Sequence, residues 1–207
     1  MPVPSPSTIP TCRKDLYGGA MSMSIPQSFA DVSMLREVPS NQEVFADQLS
    51  DQSIMIELLE LASDATTENA GKYHYAQLAQ DNEAVTSDIL SEEQLDTSNA
   101  LPFLPSNVHA SIIVGRQTVA KFNESSPDAH NVVIIYLALI RIPQVTTDLV
   151  ISHNQPIVLG SASSSTTALA GVGLQAPVAE EGLDSFRKML QSLKIMDWGL
   201  FGETGSG

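Results

Sequence analysis

The feature that most constrains the fold is Asn131–Ile142, an almost wholly apolar run of strand length. Because neither face is polar, we predict a strand in the middle of a sheet, covered on both sides. Two further strands are predicted beside it, Ala110–Phe122 with a bend or bulge at Gly115, and Asp148–His153. The connections are short, which predicts antiparallel pairing.

The N-terminal third contains three shorter strand candidates. Apolar residues alternate with serines over Ala20–Ile25, which predicts a strand that follows the Gly18-Gly19 turn. Gln42–Ala46 is also predicted as a strand. The periodicity of Ser53–Leu61 fits both a helix and a buried strand, and its short length between polar flanks favours the strand.

Three further segments of the chain are predicted to be wholly or partly helical. Asp31–Val38 is predicted as a short helical turn or irregular segment, with Asp31 or Ser33 as its cap. Thr67–Gln80 is predicted as a helix, and so is the amphipathic segment Leu183–Ile195. In the first, the residues that recur at helical spacing are Ala70, Tyr73, Ala76 or Gln77, and Ala79 or Gln80. In the second, one face is formed by Leu183, Phe186, Met189, Leu190 and Leu193.

The order of these elements predicts one α+β domain, an antiparallel sheet with helices on its faces. Residues 1–14 are rich in proline, serine and threonine and are predicted as a disordered tail before a single domain over residues 15–202. Residues 81–106 are predicted to be irregular, with a short helix at 91–95. The low-complexity stretch 160–177 is predicted as a mobile loop, and residues 203–207 as a frayed end.

Charge narrows the class of partner. The net charge is −14, and residues 1–100 hold 16 acidic against 4 basic side chains, whereas the remainder holds 8 against 6. Phosphate binding needs clustered lysine and arginine, so we expect neither nucleic acid nor an anionic membrane surface as a partner. A basic protein partner fits it, although surplus acid that only keeps the protein soluble fits equally well. No apolar run has the length of a membrane span.

Catalytic and metal-binding patterns are missing from the sequence. It has neither a phosphate loop nor a nucleophile elbow. The four histidines are dispersed, and only His109 and His130 could meet across adjacent strands, which is a weak basis for a metal site. Cys12 is the single cysteine, which fits a reducing compartment. We therefore predict a binding protein, with neither an enzymatic activity nor a cofactor.

Six motifs are spread along the chain. They are LYGGA at 16–20, DVSMLREVPSNQEVF at 31–45, DQSIMIELLEL at 51–61, QTVAKF at 117–122, ALIRIPQVTTDLVISHNQP at 138–156 and the closing LFG at 200–202. In this order they resemble the Mog family of Ran guanine-nucleotide release factors. The resemblance covers about residues 15–202. It implies an α/β/α sandwich with a mostly antiparallel six-stranded sheet and helices on both faces, and it favours the strand at Ser53–Leu61.

The resemblance also implies a function and partners. Members of the family bind the GTPase Ran, loosen its nucleotide and support nuclear protein import, so we expect a monomer in nucleus and cytoplasm. The expected partner is Ran in a nucleotide-loosened or GTP-bound form, with a Ran-binding protein as a further candidate. The alternative is a scaffold or trafficking adaptor that binds the cytoplasmic segment of a membrane protein through a patch such as Gln144–Asp148.

The residues implied for Ran binding centre on the Pro-Asp-x-Gln-Glu type segment, which is Pro39–Glu43 in this chain. Ser40 stands where the family commonly has aspartate, so one charge is missing from the implied contact. The residues assigned to the contact are Asp31, Arg36, Glu37, Ser40, Asn41, Gln42, Glu43, Glu57 and Glu60. For each, a structural role is the competing interpretation: a turn at Pro39–Gln42, a helix cap at Asp31, or a solvated strand edge at Glu57 and Glu60.

Overall fold

The computed structural model describes residues 9–47, 49–120, 127–164, 166 and 179–202. Ten strands and three α-helices are described in these ranges. In chain order they are β1 Thr11–Leu16, β2 Met21–Pro26, β3 Ala30–Asp31, β4 Gln42–Asp47, β5 Gln52–Glu60, α1 Ala70–Asp81, β6 Thr86–Gln94, α2 Thr97–Ala100, β7 His109–Val119, β8 Asn131–Ile142, β9 Thr147–Val158, α3 Ala179–Gln191 and β10 Lys194–Ile195.

The main sheet has seven strands in the order β3-β4-β5-β9-β8-β7-β6, and every neighbouring pair is antiparallel. The apolar strand β8 lies between β7 and β9, and nearly all of its residues are buried. The prediction of a central strand covered on both faces is therefore confirmed. The strand prediction for Ser53–Leu61 is confirmed by β5.

Two cores cover the two faces of the main sheet. On one face, α3 and a separate three-stranded sheet, β1-β2-β10, enclose the larger core, which includes Met21, Met23, Tyr136 and Phe186. On the other face, α1 packs against β7 and β8 over the smaller core. The fold is thus a sheet-dominated α+β arrangement with helices on both faces. Among the described helices, none is long and apolar enough to span a membrane.

The predicted strand count was wrong. The main sheet has seven strands instead of six, and three further strands form the small sheet. Strand β6 lies in residues 81–106, which were predicted to be irregular. The strand was not predicted because all nine of its residues are exposed, so the sequence has no pattern of a buried apolar face there. Only its pairing with β7 along the sheet edge makes this acidic segment a strand.

The predicted N-terminal tail was also too long. Residues 11–14 belong to β1, which pairs with β2 from Thr11 opposite Pro26 to Leu16 opposite Met21. This pairing satisfies the backbone hydrogen bonds of β1, which cannot be predicted from its polar side chains. Residues 1–8, most of the predicted loop 160–177 and the predicted frayed end 203–207 lie outside the described residues.

Gly115 has a different role from the one predicted. Strand β7 passes through Gly115 in unbroken register with β8, and the irregularity lies in β6, between Ile89 and Ser91. A Cβ atom on Gly115 would lie 2.1 Å from the hydroxyl oxygen of Tyr75. The glycine therefore makes room for the ring of Tyr75, whose hydroxyl donates a hydrogen bond of 3.1 Å to the carbonyl of Asp88.

Candidate partner-binding surface

The segment between β3 and β4 opens with a capped turn. Residues Val32–Met34 form one 3-10 turn, and a carboxylate oxygen of Asp31 accepts a 2.8 Å hydrogen bond from the backbone N–H of Ser33. The N–H of Leu35 closes the turn by donating to the carbonyl of Val32 at 2.9 Å. The predicted capping role of Asp31 is confirmed, and it keeps the turn in a defined shape.

The side chains displayed by this turn are apolar as well as charged. Met34 is 82% exposed and Leu35 is 74% exposed, the highest values for large apolar side chains in the described ranges. Arg36 and Glu37, which follow directly, are exposed and have no ion-pair partner among the described residues. The charged pair was among the residues predicted from the sequence, whereas the apolar pair was not.

The predicted segment Pro39–Glu43 is a turn that leads into β4. The N–H of Gln42 donates to the carbonyl of Pro39 at 2.9 Å, and Ser40 is exposed at the tip. Asn41 exchanges two hydrogen bonds with Leu58 of β5: its carbonyl accepts at 2.9 Å and its side-chain amide donates at 3.3 Å. The turn interpretation is therefore correct, and the turn holds its residues in place against β5.

Glu43 is fixed by a residue far away in the chain. One carboxylate oxygen, Oε1, accepts a 2.6 Å hydrogen bond from the backbone N–H of Tyr17, which has a positive φ of 49°. The hydroxyl of Tyr17 lies 2.9 Å from the carbonyl of Ile56 and 3.1 Å from that of Asn41. Burial, with the charges of Glu43 and Glu57, raises the pKa of Tyr17, so the hydroxyl remains a donor.

Glu57 and Glu60 do not share one surface. Glu57 lies on the face of β5 that carries Met55 and Leu59, which pack against the α1 core. Glu60 and Glu43 belong to the opposite face, which carries Phe45 and the larger core.

Glu57 is also engaged within the sheet. It pairs with Gln42 across β4 and β5, and the amide of Gln42 donates to its carboxylate at 2.6 Å. Burial raises the pKa of Glu57, and this hydrogen bond opposes the rise. The structure thus places Asp31 and Glu43 on one face of the sheet, and Glu57 on the other face together with Gln42.

Only part of the alternative patch Gln144–Asp148 is accessible, because Gln144 and Thr146 are exposed whereas Thr147 and Asp148 are buried. Asp148 is fully buried, and both of its carboxylate oxygens accept 2.8 Å hydrogen bonds from Arg141, itself 4% exposed. His74 and the N–H of Ala62 complete the cluster at 2.8 and 3.0 Å. Burial alone would raise the pKa of Asp148, but these hydrogen bonds hold it well below its ordinary value. This cluster serves stability.

The histidine pair considered for a metal is separated by the strand register. His109 pairs with Arg141 at one end of β7 and β8, whereas His130 precedes Asn131, which pairs with Val119 at the other end. In the part of the chain that the structure describes, no group of three or more His, Cys, Asp or Glu side chains is placed to hold a metal ion.

The surface around β3, β4 and β5 is acidic. Residues 15–71 contain ten acidic side chains and a single basic one, Arg36. The surface therefore offers carboxylates, an exposed apolar pair and one guanidinium, held on a capped turn and a sheet edge. This arrangement is suited to binding a basic surface of another protein.

Comparison with known proteins identifies relatives of the whole chain. A family model described as "Ran-interacting Mog1 protein" matches residues 14–156. The Ran guanine nucleotide release factor of Danio rerio is 38% identical over 91% of this chain and 99% of the relative. The probable ran guanine nucleotide release factor of Dictyostelium discoideum is 37% identical over 91% and 95%. The crystal structure of the Saccharomyces cerevisiae Ran-binding protein Mog1p superposes with a TM-score of 0.67 at 25% identity, covering 94% of this chain and 100% of that one.

Proposed function

Because the chain belongs to the family of Ran-interacting Mog1 proteins, we propose that it binds Ran and promotes release of its guanine nucleotide, in support of nuclear protein import. The observation that carries this proposal is the 37–38% identity, over 91% of this chain, to relatives named as release factors. Such a role places the protein in both nucleus and cytoplasm. It is a binding role, in which the partner's affinity for nucleotide changes without any bond being made or broken in this chain.

The contact surface in this proposal is the capped turn with the start of β4, and its charged members are Asp31, Arg36, Glu37 and Glu43. Ser40, Asn41 and Gln42 form its turn, and Glu60 extends it along β5, on the same face of the sheet as Glu43 of β4. Glu57 contributes indirectly, because its carboxylate accepts from Gln42 and faces the α1 side. With Ser40 in place of an aspartate, the surface depends more heavily on Glu43.

A GTPase holds its nucleotide through a phosphate loop, a lysine and a magnesium ion. A carboxylate can pair with a lysine that would otherwise bind phosphate, or disturb the coordination of magnesium. A protein that binds the loosened state more tightly shifts the GTPase toward that state. The size of the shift is set by the ratio of its affinities for the loosened and the nucleotide-bound states. By linkage, bound nucleotide weakens the complex by the same factor.

Glu43 is well placed for this role. The N–H of Tyr17 occupies Oε1 and fixes the orientation of the carboxylate, while Oε2 has no hydrogen-bond partner among the described residues. The carboxylate therefore keeps one oxygen for a cationic group of a partner without having to be ordered first. We propose that Glu43 supplies the principal charge in nucleotide release, with Asp31 and Glu37 as supporting charges.

Glu43→Lys is expected to lower the rate at which this protein releases a fluorescent guanine nucleotide from Ran at least tenfold, since it replaces an attracting charge with a repelling one. Glu43→Gln keeps an oxygen for the Tyr17 N–H and removes only the charge, so its rate should also fall. Asp184→Lys is the matched control, because it makes the same change of charge at an exposed position on α3.

The rates are compared at equal protein concentration, after thermal melting has shown that each variant is folded. No acceleration by the wild-type protein would contradict the proposed function. If the wild type accelerates release and Glu43→Lys does so at the same rate, only the assignment of Glu43 would be contradicted, and the proposed function would stand. A loss in Glu43→Lys with a normal rate in Glu43→Gln would assign the residue a positioning role through Tyr17 and contradict the proposed role of its charge.

A further inference from the structure

We propose that Met34 and Leu35 form an apolar anchor for the GTPase, inserting into an apolar depression that is ringed by basic side chains on the partner. The inference rests on the proposed function and adds the apolar component of the same surface. Met34 and Leu35 carry no charge, so a prediction based on charge does not include them.

The first argument is exposure. Large apolar side chains are usually only partly exposed when they stand singly on a surface, and neighbouring exposed ones mark contact sites. Met34 and Leu35 are adjacent and are 82% and 74% exposed, and neither belongs to either core cluster. Methionine is flexible and adapts to irregular pockets, which suits it to such a contact.

The second argument is that the backbone holds the pair in a defined position. The carboxylate of Asp31 caps the turn, and the carbonyl of Val32 accepts from the N–H groups of Leu35 and Arg36 at 2.9 and 3.1 Å. The turn is joined to the sheet through β3, where Asp31 pairs with Phe45 of β4. A pair held in this way loses less conformational freedom on binding than a pair on a loose loop.

The third argument is charge complementarity, which specifies the occupant. The pair lies between Asp31 and Glu37, in a stretch of residues 15–71 with ten acidic side chains and one basic side chain. The same chain segment runs on through Pro39 into Glu43, so the apolar pair is continuous with the surface proposed for Ran. Apolar centres surrounded by charged rims are the usual arrangement at protein contacts, and a few central side chains carry most of the affinity. A basic rim on the partner matches the acidic rim here.

The test is the affinity of the Met34→Ser/Leu35→Ser double variant for nucleotide-free Ran, together with its rate of fluorescent GDP release from Ran. Leu49→Ser is the matched control, because Leu49 is 65% exposed on the turn at the far end of β4. The double variant should bind at least tenfold more weakly than the wild type and release nucleotide correspondingly more slowly, whereas Leu49→Ser should match the wild type within about twofold.

Because both side chains are exposed, the double variant should melt at the temperature of the wild type, so that a loss of binding reports the contact itself. Wild-type release with an unchanged double variant would overturn the anchor and leave the proposed function intact. Failure of the wild type to bind Ran would overturn both. Loss of self-association by the double variant in sedimentation, with normal binding to Ran, would assign the pair to a contact between copies and overturn the proposal.

Discussion

Replacing Asp148 with alanine is expected to lower the free energy of unfolding by about 3–5 kcal/mol, because it leaves a buried guanidinium without its counterion. Asp148 is fully buried and Arg141 is 4% exposed. Two further nitrogens of the cluster, from His74 and the Ala62 N–H, would lose the same acceptor. Urea unfolding followed by circular dichroism measures the loss.

The double variant Arg141→Met/Asp148→Leu separates the loss of the pair from the cost of an unpaired charge. It should be less destabilised than Asp148→Ala, since no buried charge remains, although the carbonyls of Ala62 and Ala65 lose their donors. A loss of less than about 1 kcal/mol in Asp148→Ala would contradict the account of the cluster. The lowered pKa of Asp148 means that its contribution persists down to strongly acidic pH.

Mild acid should destabilise the protein through His153 instead. This histidine is 4% exposed, and burial lowers its pKa from 6.5 to about 4. The unfolded chain therefore binds a proton more readily than the folded protein. Stability from the neutral ring is fully present above pH 6.5 and is lost as the pH falls toward 4. The total loss is about 3 kcal/mol.

The surroundings of His153 explain why the protonated form of its ring is disfavoured. Its ring lies among Phe29, Tyr136 and Phe186, with centroids 5.9, 5.7 and 6.4 Å away. Nε2 lies 2.8 Å from the side-chain oxygen of Gln52, whereas Nδ1 has no hydrogen-bond partner in the part of the chain that the structure describes. A charge on this ring would therefore be buried without a counterion.

The matched test is urea unfolding of the wild type, His153→Phe and His109→Phe between pH 4.5 and 7.5. His153→Phe should reduce the dependence of stability on pH, whatever its stability at pH 7, because the phenyl ring does not titrate. His109→Phe removes an exposed histidine and should leave the wild-type dependence unchanged. Equal slopes in the wild type and in His153→Phe would contradict this prediction.

Elements with a buried apolar face were predictable from the sequence. Asn131–Ile142 is apolar on both faces, and both are covered, one by α3 and the small sheet and the other by α1. The buried face of α3 was also predicted correctly at Phe186, Met189 and Leu190, whereas the helix ends at Gln191, earlier than predicted, and Leu193 is buried beyond it. In these elements the local pattern and the tertiary packing demand the same residues, so the pattern suffices.

Elements stabilised by distant polar partners were not predictable. The buried face of α1 carries His74 and Tyr75 in place of the predicted Tyr73. His74 is buried because Asp148, 74 positions later in the chain, accepts from it, and Tyr75 because Gly115 leaves it room. Strand β1 is likewise stabilised by backbone pairing, which leaves little pattern in a polar sequence.

The residues of the candidate surface also fall into two groups, those that the local sequence predicts and those that depend on distant contacts. The cap at Asp31 and the turn at Pro39 are local features, and local composition predicts them. The contact between Glu43 and Tyr17 spans 26 positions, and the separation of Glu57 from Glu43 depends on the alternation of two paired strands. The exposure of Met34 and Leu35 is invisible in sequence, because apolar residues in a capped turn would ordinarily be expected to pack inward.

We propose that this protein favours the nucleotide-free state of Ran over the nucleotide-bound state. The direct measurement is its affinity for Ran without nucleotide and for Ran loaded with GTP and magnesium, each determined by calorimetry at one salt concentration. A release factor must bind the empty form more tightly, and GTP must lose affinity for Ran by the same factor when this protein is bound. Equal affinities for the two forms would contradict the account and would instead support a scaffold that binds Ran without loosening its nucleotide.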